Sequence, residues 1–215
     1  MKKYIQDICR QTAGMSFQQK LEYIITYYWY HMLGISLAVV LVVFLTVHFA
    51  IGEKEPYFSA VLINQPIDYG RDEEMETAFS GYLEGHEDCI VDISSDYNFS
   101  YGDVKLEGVN ESSYEKFFFR LGGGELDAAI MPESFYRHCL EMDVEFTDLS
   151  GMMTGNLPVY ADKGKKAAVY AEETGLHEWL QNDTGETLLL VFPVSGTHRE
   201  ACQEFLDFLG AFQEY

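Results

Sequence analysis

Three stretches of this chain carry residue types that do chemistry elsewhere. The first is GGGELDAAIMPESF, residues 122–135, where three consecutive glycines raise the question of a phosphate-cradling loop. Phosphate loops place glycines after a strand and before a helix, so that helix N–H groups face the anion. Here the order is reversed. The helix-like ESSYEKFFFRL (111–121) comes before the glycines, the apolar run LDAAIM (126–131) after them, and no Lys-Ser or Lys-Thr follows. Glycine placed this way suits a helix end that needs left-handed backbone. The second stretch is FPVSGTH (192–198), with Ser195 between a strand and a helix, where a nucleophile elbow would sit. That motif needs glycine two residues before the serine, where Pro193 stands, and a histidine far downstream, whereas the only later one, His198, lies three residues on at a helix start. A turn serine is the better reading. The third set is His86 near Asp88 and Cys89, and His138 beside Cys139. Neither has the i, i+4 or C-x-x-C spacing that aims two ligands at one ion. No metal, no cofactor and no acid–base or nucleophile constellation follow, so an enzyme is not expected.

Charge divides the chain. It holds 35 acids against 14 bases in 215 residues, with 47% hydrophobic and 15% aromatic residues, enough for a real core. A polymer this acidic is repelled by nucleic acid and by anionic lipid. Residues 1–30 are the exception, with Lys2, Lys3, Arg10 and Lys20 against Asp7 and Glu22; after residue 52 there are 10 bases and 33 acids. Between them lies HMLGISLAVVLVVFLTVHFAIG (31–52), free of Asp, Glu, Lys and Arg from Gly34 to Ile51, with the aromatic belt YYWYH before it. About 20 such residues cross a hydrocarbon core as a helix. The long leader and the lack of a small-x-small site argue for an uncleaved signal anchor. The excess of bases before the span puts the N-terminus in the cytoplasm and the acidic remainder outside the cell membrane. Four parts are expected: a cytoplasmic segment 1–30 with an amphipathic helix, the span 31–52, a linker 53–59 and an extracytoplasmic domain 60–215. Cys89, Cys139 and Cys202 match no disulfide framework, which leaves open buried thiols or one bridge among them.

The elements that must position any site alternate. YFSAVLINQP (57–66) and CIVDIS (89–94) read as strands around the amphipathic helix RDEEMETAFSGYLEGH (71–86). Ser112 or Ser113 is placed to cap the helix 111–121. LDAAIM is a third strand, PESFYRHCLEM (132–142) a helix with proline in its first turn, and VEFTDLS (144–150) a short strand. PVYAD and AAVYAEE flank a turn at 163–166 and make a hairpin; LHEWL (176–180) is a short helix. TLLLVFP (187–193) is a buried strand. THREACQEFLDFLGAFQEY (197–215) closes the chain as a helix, with Thr197 and Glu200 forming a capping box. The alternation predicts an α/β domain with a mainly parallel sheet and helices on both faces, preceded by one transmembrane helix.

The segment with Tyr114, Phe117 and Leu121, then GGGELDAAIMPESFYRHCLEMDVEFTDLSG, resembles a recurring part of bacterial extracellular solute-binding proteins of the type 2 periplasmic-binding-protein fold. Asp127 and Asp148-Leu149-Ser150 fit that pattern, and LLLVFPVSGTHREACQEFLDFL is similar to the family's late strand, turn and helix. Together they cover about half of the domain. The resemblance implies a lobe of that fold, solute capture and a membrane transporter as partner. The chain departs from the family in length, with about 156 residues after Ser59, and has only a hairpin and a short helix where a second lobe is usually inserted. In open α/β sheets ligands bind beyond the carboxyl ends of strands. That rule selects Asn64 and Gln65, Ser95, Asp96 and Tyr97, Glu133 and Ser134, and Ser195. The set holds two acids and no base, which suits a neutral or cationic small solute. The rival expectation is a structural or regulatory subunit of a membrane complex that has lost ligand binding.

Overall fold

The computed structural model describes residues 10, 13–50, 55–83, 89–182 and 185–212. It divides into two compact units, residues 1–54 and 55–215. In the first unit helix α1 (Phe17–Ala50) runs without a break. Ser16 and Gln19 form a reciprocal capping box at its start: Ser16 N donates to Gln19 Oε1 at 3.0 Å, and Gln19 N to Ser16 Oγ at 3.4 Å. The stretch Trp29–Val47, mean hydropathy 2.3, is long and apolar enough to cross a membrane. At 1.5 Å per residue the whole helix is roughly 50 Å long, well beyond a hydrocarbon core of about 30 Å. The amphipathic leader and the apolar stretch, two segments by their residue pattern, are thus one rod.

The second unit is a six-stranded sheet in the order β2-β1-β3-β6-β5-β4. The strands are β1 (Phe58–Ile63), β2 (Val91–Tyr97), β3 (Ala128–Pro132), β4 (Val159–Asp162), β5 (Lys165–Tyr170) and β6 (Leu188–Val191); the helices are α2 (Tyr69–Tyr82), α3 (Ser112–Gly123), α4 (Glu133–Glu141) and α5 (Arg199–Phe212). β1 pairs in parallel with β2 and β3. β6 then runs antiparallel to β3, β5 to β6 and β4 to β5. The sheet is therefore mixed, not mainly parallel. The reason is that a strand covered on both faces must be apolar throughout whichever way it runs. Leu188–Val191 is fully buried, and that apolar run carries no information about direction.

Alternation along the strands builds two cores. Phe58, Ala60 and Leu62 face Met75 and Phe79 of α2 and Phe205 and Phe208 of α5. Val61 and Ile63 face Phe117 and Leu121 of α3 and Phe135 and Cys139 of α4. Helices thus cover both faces. Each fully buried Phe contributes about 1.5–3 kcal/mol of burial, and the rings of Phe58, Phe79 and Phe205 meet at 4.7–5.2 Å between centroids. The outer edge of β2 is closed by α2. Glu76 accepts from Ile93 N at 2.8 Å and Asp72 from Ser95 N at 2.8 Å, so two carboxylates one helical turn apart occupy amides that an edge strand would otherwise leave open. Burial pushes the Glu76 carboxyl upward, against the lowering effect of the Ile93 bond.

Several local expectations change. α2 starts earlier than its acidic run, because Asp68 caps it by accepting from Gly70 N and Arg71 N. Asn110 and not Ser112 or Ser113 holds the start of α3, accepting from Ser112 N and Oγ. VEFTDLS is a single bridge, Phe146 to Pro193, followed by a 3-10 turn at Leu149–Gly151. Of LHEWL only Leu176–Glu178 lie in a 3-10 turn, Gly175–Glu178, with Trp179 and Leu180 following it. The hairpin turns on Lys163 and Gly164 alone, at φ 47° and 82°, the geometry of a two-residue turn. The glycine triplet does end α3. Gly124, at φ 72°, carries the left-handed cap, and its amide bonds back to Leu121 O at 3.2 Å. A Cβ there would also meet Ser195 O at 2.8 Å.

Candidate functional site

Parallel strands and their return helices give the sheet two chemically different ends. α2 follows β1 on one face, while α3 follows β2 on the other, so the chain switches faces between β1 and β3. The crevice beyond the carboxyl ends of those two strands is where open α/β sheets receive ligands. Asn64, Gln65, Asp96, Tyr97, Glu133 and Ser134 all belong to this carboxyl edge. Ser195 does not. It follows β6, which is antiparallel, and so it lies at the opposite, amino edge.

The six residues at the carboxyl edge have different employments. Asn64, at φ 54°, locks the return after β2: its Nδ2 donates to Phe99 O at 3.2 Å and its Oδ1 accepts from Phe99 N at 3.0 Å. Tyr97 is fully buried, with its hydroxyl accepting from Arg120 at 2.9 Å and Lys116 over its ring. Glu133 accepts from Arg137 Nη2 at 2.6 Å and from the Tyr160 hydroxyl at 3.0 Å. These bonds hold its carboxyl below the usual range. Ser134 donates to Glu186 at 2.5 Å and, its one proton spent, receives the Tyr101 hydroxyl at 2.7 Å. Asp96 is half-buried, with its amide donating to Ser94 Oγ. Gln65 is 1% exposed; its Nε2 donates to Asn64 O at 3.3 Å and its Oε1 has no partner.

Next to Gln65 is a residue that the strand-end rule omits. Arg71, in the first turn of α2, is 6% exposed. Its Nη2 donates to Pro66 O at 2.8 Å and approaches Asp72 Oδ1 at 3.4 Å, while Nε and Nη1 have no partner. Asp72, also buried, gives its other oxygen to Ser95 N and Ser95 Oγ, at 2.8 and 2.6 Å. Among the described residues, the buried side-chain nitrogen and oxygen atoms left without a partner all belong to Gln65 and Arg71. A sequence signal for Arg71 exists. A cation in the first turn opposes the helix dipole, which favours acids there, and such a placement asks for a reason.

The amino edge is the reverse case. Asp127, 1% exposed, opens β3 and accepts from Ser59 N at 3.0 Å and His198 N at 3.1 Å, with His198 Nδ1 also at 3.1 Å. It thereby holds the entry to α5, while Thr197 turns its hydroxyl to His198 Nδ1 at 3.4 Å. Ser195 Oγ donates to Leu121 O at 2.7 Å, which ties the late turn to the end of α3. Ser195 is thus a strut and has no histidine partner in its bond. Cys202 lies beneath, its thiol pointing at Asp127 O, and burial pushes that thiol up to about 12. Cys139 is likewise buried and pushed up to about 12, and Cys89, Cys139 and Cys202 are all free thiols. His86 and Asp88 lie outside the described residues.

Two adjoining clefts open at the amino edge, of about 480 and 310 Å³, meeting at Thr147, Asp148 and Arg199. The larger sets Lys163, Lys165 and Arg199 against Glu145, Asp148 and Asp162. These clefts have room but a balanced, solvated lining. The unmade bonds of Gln65 and Arg71 lie at the other end of the sheet. Unmade bonds on buried groups carry a free-energy cost that an exposed cleft does not, so the carboxyl edge is the stronger candidate.

No protein-family model, curated protein or solved structure matches this chain. The class of protein is therefore defined by its own features: a mixed-sheet α/β domain with a polar, incompletely bonded carboxyl edge, together with a separate helix long enough to cross a membrane.

Proposed function

We propose that this chain is a membrane-tethered, solute-binding-like protein that captures a small molecule at the carboxyl edge of β1–β3 and presents it to a membrane transporter. One observation carries the reading: Gln65 and Arg71 are buried with unspent bonding atoms where open α/β sheets take ligands. α1 is the tether, with the basic segment 1–30 on the cytoplasmic side and the acidic domain outside. The likeness of GGGELDAAIMPESF and its flanks to solute-binding proteins supports the same reading. Binding here is non-enzymatic and uses no cofactor or nucleic acid.

The test is a thermal-shift screen of the full-length protein in detergent against sugars, amino acids, peptides, metal ions and small organic acids. A ligand at about 100 times its Kd adds roughly 2.7 kcal/mol, a shift of several degrees. A panel with no hit sinks the proposal. A docking subunit is the rival, and the exposed aromatics Tyr69 (70%) and Phe119 (77%) favour it. Under that reading the panel is silent and the two rings become protected from solvent in the native membrane.

A further inference from the structure

We infer that the solute carries an oxyanion and that the Arg71 guanidinium receives it, with Gln65 alongside. This rests on the small-solute reading and adds the sign of the ligand's charge. It also reverses the expectation from the strand-end residues alone, which contain no base.

Arg71 is a buried cation with weak compensation. Charge-assisted N–H···O bonds close to about 2.7–2.9 Å, and the nearest Asp72 oxygen stands at 3.4 Å. Asp72 is engaged elsewhere, its Oδ2 held by both donors of Ser95. The one close bond from Arg71 goes to a neutral acceptor, Pro66 O. Each buried donor left unmade costs about 1–3 kcal/mol, and more when charged. Water would fill the bonds of Nε and Nη1. An oxyanion fills the same bonds with charge-assisted contacts, which are shorter and stronger than those water makes. Guanidinium geometry sets the mode of contact. Nη2 is adjacent in the plane to both Nε and Nη1. When its long contact to Asp72 is released, it forms a two-pronged fork with one of them, the shape that receives a carboxylate or phosphate edge. Gln65 Oε1 is then an acceptor for an O–H or N–H of the same solute. Carboxylates and phosphates share this chemistry, so the probes must separate them.

The full-length protein in detergent is titrated at constant ionic strength with sodium acetate, sodium phosphate, glycerol and methylammonium chloride, against sodium chloride as reference. Calorimetry and the thermal midpoint are both read. Acetate or phosphate is expected to bind saturably, and Arg71→Gln to weaken that binding about tenfold or more, the loss of one charge-assisted contact. A response to acetate alone marks a planar carboxylate, one to phosphate alone a tetrahedral group, and either supports the inference. If Arg71→Gln does not fold, Gln65→Glu serves, because a buried carboxylate on the residue before Pro66, whose carbonyl holds Arg71, repels a second anion there and is expected to abolish the oxyanion response. Oxyanion binding that survives both substitutions overturns the assignment. A saturable response to glycerol or methylammonium only overturns it too and leaves the small-solute reading standing. Silence toward acetate and phosphate also overturns it, and the broad solute panel then decides separately whether any binding remains.

Discussion

The two ends of the sheet solve the same problem in opposite ways. Each buries an acid beside helix entry: Asp127 at the start of α5 and Asp72 in the first turns of α2. Asp127 spends both carboxylate oxygens on the amides of Ser59 in β1 and of His198, the residue just before α5. Asp72 spends one oxygen on Ser95 and leaves the other at 3.4 Å from an arginine whose remaining donors are idle. A fully bonded buried group holds structure together. An incompletely bonded one costs stability, and a protein that keeps it has a use for it. The amino edge is thus framework and the carboxyl edge the candidate site, although two clefts open at the framework end.

Three variants break or sharpen that contrast. Asp127→Ala strands the Ser59 and His198 amides and is expected to cost about 3 kcal/mol or more. Denaturant unfolding of the full chain, followed by far-ultraviolet circular dichroism, measures it, and a loss under about 1 kcal/mol would mean the amino edge is not framework. The double change Arg71→Met with Asp72→Asn removes both charges of the buried Arg71–Asp72 pair together. It is expected to alter stability by less than about 1 kcal/mol, since uncharged replacement of a poorly compensated buried pair is often neutral, and the amide oxygen of the new asparagine still accepts from Ser95 N. A loss matching that of Asp127→Ala would make Arg71 a strut as well and erase the contrast. The smallest effect belongs to Glu133→Gln. Arg137 and Tyr160 lower the Glu133 carboxyl from its ordinary 4.5, so the ionised group stabilises the fold above that value, and the gain is lost as pH falls through the lowered one. For a pair with Arg137 largely exposed the effect is below about 1 kcal/mol. Wild type should exceed Glu133→Gln in midpoint near neutrality and converge with it in acid; a constant gap at all pH would show that the charge contributes nothing.

Much of the framework was legible. LDAAIM and TLLLVF are strands, the helix faces of Phe117 and Leu121 and of Phe205 and Phe208 are buried, and the glycine triplet is a helix stop. Local periodicity and glycine stereochemistry suffice for those. Strand direction was not legible, since burial on both faces is indifferent to it, and a parallel β6 would have put Ser195 at the wrong edge. Arg71 escapes the strand-end rule because that rule looks only at residues directly after strands, whereas a helix that turns back brings its own first turn over the same edge. The caps from Asp68, Asn110 and Asp127 show the same gradation. Asp68 and Asn110 stand one and two residues before their helices, while Asp127 reaches α5 from more than 70 residues away.

By itself the sequence determined the apolar helix, the acidic composition of everything after it, and the alternation of buried strands and amphipathic helices. Those properties depend on residue type and on spacing within a single element. Only the tertiary structure decided which way β6 runs, which edge Ser195 joins, and that Gln65 and Arg71 are both buried with bonds unmade. Those facts depend on which elements become neighbours, and whether a buried polar group is satisfied is a property of its neighbours rather than of its place in the chain.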